Sequence, residues 1–235
     1  MTSHATAPAA PATAARSGIA ELTSLLRRLT GDEKHEPSAH STLHVIWVLY
    51  DRILRVDPAR PDAEDRDRFL VSKGHGPHAY YAVLAAKGFF PVEWLDDLAG
   101  PMSRLGHHPD RTLVPGVEIS SGSLGHGLGL GVGMALGLRA QGRREPRIYV
   151  LLGDGELDEG SNHEAIAYAG AVGLDSLTAL VVDNGSATHR QDLPGLFTVH
   201  GWLATTVDGR DQDQIEEAVR ARRPGQPYAV VAEVR

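Results

Sequence analysis

The amino-acid sequence predicts an α/β fold, a parallel β-sheet flanked by helices on both faces. Three observations carry that prediction. Apolar runs such as "RIYVLLGD", "LTALVVDN" and "YAVVAEV" are short and bounded by turn-forming residues. Segments with apolar residues at helical spacing separate most of them. Two of the runs end in "GDG" and "DNG", and ligands of parallel sheets bind in the crevice beyond the carboxyl ends of the strands.

The elements follow in order along the chain. Residues 1–16, rich in Ala, Pro and Thr, hold no apolar stretch of signal-peptide length and no basic residue before Arg16. They are expected to form a disordered tail ahead of one domain over 17–235. "IAELTSLLRRLT" and "STLHVIWVLYDRIL" have helical spacing, and the second stops where "RVDPARPD" introduces prolines. "RFLVS" suits a strand, "HAYYAVLAAKG" a helix closed by Gly88, and "PVEWLDDLA" another helix. After a polar loop through "RLGHHPDRTLVPG", the small-residue segment "SLGHGLGLGVGMALGLRAQG" keeps helical spacing in "GVGMALGLRA". "RIYVLLGD", "HEAIAYAGAVGL", "LTALVVDN", "LATTVDG", "DQIEEAVRAR" and "YAVVAEV" then read as strand, helix, strand, strand, helix and strand. No internal repeat interrupts the alternation.

Composition narrows the function classes. With 235 residues and 42% hydrophobic content the chain can bury one substantial core. No apolar run approaches the roughly 20 residues that span a bilayer, and the absence of cysteine excludes disulfides and thiolate metal sites. A cytoplasmic protein is expected. The net charge of −7 is interspersed and no basic stripe is present, so neither nucleic acid nor membrane is an expected partner.

The two strand-end segments carry the chemistry. Gly153 and Gly155 leave the backbone on either side of Asp154 open to a ligand and its N–H groups free to meet a phosphate oxygen. Asp154 and Asn184 offer hard oxygen donors of the kind that Mg²⁺ or Ca²⁺ takes alongside phosphate and water. A second reading stands beside this one: Asp154 as a helix cap, and Asn184 in the turn position that Asn and Gly favour. No GxxxxGK[ST] loop is present to suggest a nucleotide site.

The stretch "GDGELDEGSNHEAIAYAGAVGLDSLTALVVDNGSA" resembles the thiamine diphosphate motif of the transketolase family, which opens with Gly-Asp-Gly and closes some thirty residues later at an asparagine. Three further segments resemble that family in the same order: the one ending in "SKGHG", the loop "GHHPD", and "SSGSLGHGLGLGVGMALG". The resemblance covers roughly residues 17–235. It implies a thiamine diphosphate-binding fold in which Asp154, Asn184 and the carbonyl of Ser186 hold the metal, while Gly155 approaches the diphosphate. Gly122, Ser123 and Leu124 match the segment that contacts the cofactor. His75 matches a histidine near the diphosphate and the reacting carbon, His108 one that reaches substrate hydroxyls, and His35 a third. Neutral imidazoles suit such work because they donate, accept and shuttle protons near neutrality. Glu159 and Glu164 match acidic residues of a proton network at the subunit interface. Outside these motifs His4, His40, His78, His189 and His200 read as solvated, and Gly129, Gly131 and Gly133 as glycines for close helix packing.

Departures from the family pattern shape the functional expectation. "HEPSAH" sets Glu36 and Pro37 where small glycines follow the first histidine, and His44 stands where an acid is common. The chain stops at "YAVVAEVR", where family members continue into a loop bearing another active-site histidine, and it holds no counterpart of the glutamate that activates the cofactor. The resemblance therefore implies the diphosphate-binding subunit of a split transketolase, in an α2β2 assembly with a subunit that carries the remaining domains. Its reaction would transfer a two-carbon ketol unit from a ketose, phosphorylated or not, to an aldehyde. A specialised carboligase of secondary metabolism and a non-catalytic regulatory homologue are the alternatives.

Overall fold

A computed structural model describes residues 18–30, 36–188 and 192–234. The expected tail, His4, His35 and His189 lie outside the described residues.

The apolar runs form one sheet. β1 (Arg68–Val71), β2 (Ile148–Gly153), β3 (Leu177–Asp183), β4 (Leu203–Asp208) and β5 (Tyr228–Glu233) line up in the order β1-β2-β3-β5-β4, with every neighbouring pair parallel. All seven residues of β3 are buried, whereas the edge strand β4 is part exposed, which is why "LTALVVD" is uninterruptedly apolar and "LATTVD" is not.

Side chains on a strand point alternately to opposite faces, so each strand feeds two cores. Tyr149 and Leu151 of β2, with Leu180 and Val182 of β3, pack under α1 (Ile19–Leu26), α2 (Glu36–Val48), α3 (His78–Ala86) and α7 (Gln212–Arg220). Val150, Leu152, Ala179 and Val181 face α4 (His126–Ala140), α5 (Gly160–Ala171) and α6 (Leu193–Thr198). The closeness of α4 to the sheet depends on missing side chains. A Cβ at Gly131 would stand 2.7 Å from the Cγ2 of Val150, and one at Gly127 2.4 Å from Ser72. Gly129 and Gly133 meet nothing within 4 Å, so of the three glycines expected to serve close packing only Gly131 does, and Gly127 joins it.

Four other expectations need correction. The segment 91–99 is a 3₁₀ turn over Val92–Asp97 rather than an α-helix; Pro91 precedes it, and the left-handed φ of +56° at Ala99 stops the helical run soon after it. The second predicted helix begins at Glu36 and closes in a π-helical turn, Leu49–Ile53, with the Leu54 N–H on the Leu49 carbonyl at 2.7 Å. The first ends at Leu26 instead of reaching residue 30. His78 is 4% exposed, not solvated, because α3 is buried almost all round. One helix, α6, has no counterpart among the predicted elements, although its start was written in the chain: Asp192 caps it, accepting from the Gly195 N–H at 3.0 Å, with a proline in its first turn.

Candidate active site

Three neighbouring strands deliver the predicted residues to one place. β1 runs into Ser72, Lys73, Gly74 and His75, β2 into Asp154 and Gly155, and β3 into Asn184, Gly185 and Ser186. With Leu124 from the loop before α4, and Ser41 and Thr42 from α2, these carboxyl ends line a cavity of about 220 Å³.

Asp154 is 1% exposed and joins two of the strands. Its Oδ1 accepts from the Ser186 hydroxyl at 2.6 Å and its Oδ2 from the Ala187 N–H at 2.9 Å. Burial alone would push its carboxyl up, but the Ser186 hydroxyl and the N–H groups of Ala187, Gly155 and Ser186 outweigh it and hold the group below the usual carboxylate range. The carboxylate is thus ionised at neutral pH, as a cation ligand must be. A Cβ at Gly155 would lie 3.3 Å from the Ser186 carbonyl oxygen, so the glycine keeps that oxygen approachable. Asn184 is exposed beside it, at a turn in which the Gly185 N–H bonds Asp183 Oδ1 at 3.0 Å.

Next to this acidic group stand the two histidines. The rings of His75 and His108 are 4.6 Å apart and meet at 68°, edge to face. Their approach requires glycine twice. A Cβ on Gly74 would fall 2.5 Å from Gly122 Cα and 2.9 Å from His108 Cδ2, and Gly122 itself has φ +141°.

A buried carboxyl ties the loops behind the cavity. Glu156, 3% exposed, accepts from the Ser72 hydroxyl, from the Gly125 N–H at 2.9 Å and from the Gly153 N–H at 3.4 Å. Burial raises its pKa against the pull of those donors and of Lys73. The Lys73 ammonium is pushed down to about 8 by burial, with the Glu156 charge opposing. Ser72 completes the knot by accepting from the Gly127 N–H at 2.9 Å.

Of the predicted residues, His75, Leu124, Asp154, Gly155, Asn184 and Ser186 line the cavity; His108 and Gly122 adjoin it through His75 and Gly74. Ser123 is exposed in the loop beside Leu124. Glu159 and Glu164 are exposed at the start and on the outer face of α5, not in the cavity, and a Cβ on Gly125 would stand 2.7 Å from the Glu159 Cβ. Sequence reasoning missed Ser72, Lys73 and Glu156, as well as Ser41 and Thr42. The available signal was a pair of charged residues, Lys73 and Glu156, placed just beyond two apolar runs.

Among the described residues no three His, Cys, Asp or Glu side chains converge to cage a metal. One carboxylate, one amide oxygen and one approachable carbonyl form instead a partial set of hard donors, which fits a divalent ion whose other ligands are diphosphate oxygens and water. The Lys73 ammonium adds positive charge to the same cavity.

A parallel α/β domain with this cradle beyond its strand ends has the build of a thiamine diphosphate-binding domain. The chain belongs to the transketolase family: residues 30–230 match the family described as transketolase, thiamine diphosphate binding domain. Among curated relatives, ferredoxin fas2 of Rhodococcoides fascians is 51% identical over 216 residues, 91% of this chain and 71% of that protein. The 6-deoxy-6-sulfo-D-fructose transketolase subunit SqwG of Clostridium sp. (strain MSTE9) is 36% identical over 223 residues, 88% of this chain and 81% of that one. The solved transketolase of Leishmania mexicana superposes with a TM-score of 0.79 at 25% identity, covering 92% of this chain and 36% of the other, so this chain spans about a third of that enzyme. No helix among the described residues is long and apolar enough to cross a membrane.

Proposed function

We propose that the chain is the diphosphate-binding subunit of a two-component transketolase-like enzyme, which transfers a two-carbon ketol unit from a ketose or ketose phosphate to an aldehyde. One observation carries the reading: Asp154, Asn184 and Ser186, at the ends of two adjacent strands, share a single cavity with His75 and Lys73. SqwG, named as a transketolase subunit and matched over 81% of its length, agrees with it.

In this reading the Asp154 and Asn184 side chains and the Ser186 carbonyl hold Mg²⁺, with Ca²⁺ as the other hard cation that suits them. Gly155 admits the diphosphate, and Gly122, Ser123 and Leu124 line the body of the cofactor. Bound thiamine diphosphate supplies the nucleophilic carbon and the electron sink needed to break the bond beside a ketose carbonyl. The chain's own side chains do the rest. His75 and His108, with His35 as the third of the set, orient the substrate hydroxyls and hold or accept their protons. Glu159 and Glu164, exposed on α5, belong to a proton network at the subunit interface, where burial requires that each find a hydrogen-bond partner or share a proton. An α2β2 assembly and a cytoplasmic place of work complete the reading. The partner contributes the glutamate that activates the cofactor.

The test is mass measurement and a ketol-transfer assay over a panel of ketose donors, on the chain alone and on the chain co-expressed with its partner. The isolated chain should be silent and the pair active; full activity from the chain alone would refute the two-component reading. Glu36 and Pro37, which replace small glycines beside His35, favour a second reading as a specialised carboligase. Turnover of a non-sugar donor in the same panel would select it.

A further inference from the structure

A second cavity, of about 470 Å³, opens at the other end of the sheet. It lies at the amino ends of β1 and β2, beside the last turn of α7 and the π-helical turn, so the length of β2, roughly 20 Å at about 3.3 Å per residue, separates it from the catalytic crevice. Its lining inverts the charge of the molecule. Four guanidinium groups, Arg55, Arg147, Arg220 and Arg222, face two carboxylates, Asp67 and Glu145, on a chain of net charge −7.

Two of those guanidiniums are already engaged. Arg55 grips Asp67 through Nη2 at 3.1 Å and Nε at 3.4 Å, and Arg220 bonds Glu216 at 3.0 Å and the Arg52 carbonyl at 2.6 Å. Asp67 is filled in turn, since the Arg147 N–H adds a bond to its Oδ1 at 2.8 Å. The other two are not engaged by any carboxylate. Arg147 makes one side-chain bond, to the Asp175 carbonyl at 3.2 Å, and Arg222 makes no hydrogen bond or ion pair among the described residues. Burial lowers the Arg147 pKa, and the Arg222 charge lowers it further. Tyr149 lines the pocket with them; its ring is buried in the core at 3% exposure, and its hydroxyl makes no hydrogen bond among the described residues. The hydroxyl itself is not sealed off, because Tyr149 lines the pocket, so it is a donor open to whatever the pocket holds.

We propose that the pocket is a second ligand site, which takes a small phosphate monoester through Arg147, Arg222 and the Tyr149 hydroxyl. A phosphate monoester matches the lining better than a carboxylate on two counts. Four guanidiniums against the carboxylates of Asp67 and Glu145 leave an excess of two positive charges in the lining, which suits a dianion better than a monoanion. A tetrahedral group has oxygens to spare for the phenol. The volume exceeds what the phosphate group needs and falls in the range of small-molecule pockets, with Ile53 and Val219 as apolar wall for the organic remainder.

The experiment titrates inorganic phosphate, glycerol phosphate and acetate into the full chain by calorimetry. Thiamine diphosphate and Mg²⁺ are left out, because the diphosphate would compete for the same arginines, and the Arg222→Gln variant tells this pocket from the strand-end crevice. The wild type should bind both phosphates saturably, and glycerol phosphate more tightly than phosphate alone. Arg222→Gln should weaken binding about tenfold, the scale of one charge-assisted hydrogen bond, and Tyr149→Phe several-fold. Arg222 is exposed, so its variant tests the site without risk to the fold. Undiminished affinity in both variants, or no saturable binding at millimolar phosphate, overturns the site; acetate binding as tightly as phosphate overturns the dianion.

Discussion

In the proposed reading Asp154 is the residue on which metal binding turns. Its carboxylate is held in place by Ser186 and Ala187 before any ligand arrives, so binding does not have to order it. Asp154→Ala should cost about 1–3 kcal/mol of stability, because it strands the Ser186 hydroxyl and the Ala187 N–H, and should weaken Mg²⁺-dependent binding of thiamine diphosphate by at least about 10²-fold, which calorimetry on the assembled enzyme can read. Affinity equal to wild type would remove Asp154 from the metal site. A second residue ties stability to pH. His44, on α2, has its Nδ1 buried without a hydrogen-bond partner; burial, then the Arg210 charge, lower its pKa from the ordinary 6.5. A depressed folded-state pKa contributes stability that is present above 6.5 and is lost as pH falls through the folded value. Urea unfolding from pH 7.5 to pH 5 should show wild type losing stability relative to His44→Gln as the pH drops. A pH-independent difference would mean that His44 titrates alike in both states.

At the scale of elements, what was legible depended on whether local pattern or distant packing set the outcome. The five strands and α5 could be read from the chain because both faces of the sheet are covered and short apolar runs have few other uses. The 3₁₀ turn at Val92–Asp97 and the π turn at Leu49–Ile53 could not, since both have helical composition and differ only in which carbonyl each N–H reaches. The site was legible as residue types and motif order, and illegible as a network: nothing local in Ser72, Gly125 or Gly153 says that one carboxyl, Glu156, joins them. Gly74 shows the same limit, because its need for glycine comes from Gly122 and His108 rather than from its own backbone. Gly74→Ala should cost about 1–3 kcal/mol, the usual cost of overpacking, since the obstruction is backbone that cannot swing away. It should also lower cofactor affinity by displacing the Gly122–Leu124 loop. Unfolding and binding measured on the same variant check both, and a neutral outcome in either would show that the loop has room to shift.

The molecule as a whole sets its two cavities at opposite ends of the strands, the candidate active site beyond the carboxyl ends and the arginine-lined pocket at the amino ends. Its strand order has a further consequence, in the timing of biosynthesis. β5 follows β4 in the chain but lies inside it, bonded to β3 on one side and β4 on the other. A nascent chain that has emerged as far as residue 220 already owns β1, β2, β3 and α7, yet its β4 has no neighbour to pair with. The turn after β3 that presents Asn184 also waits, because the Val234 N–H bonds the Asp183 carbonyl at 2.9 Å. Native pairing of β4 therefore requires β5 to be inserted between it and β3, and the cradle gains its last strand-end bond only with residues 228–234 in place. A chain released after residue 224 should show no cooperative unfolding transition and no protection of β4 amides in hydrogen exchange, whereas native-like protection there would mean that β4 pairs directly with β3 until β5 displaces it.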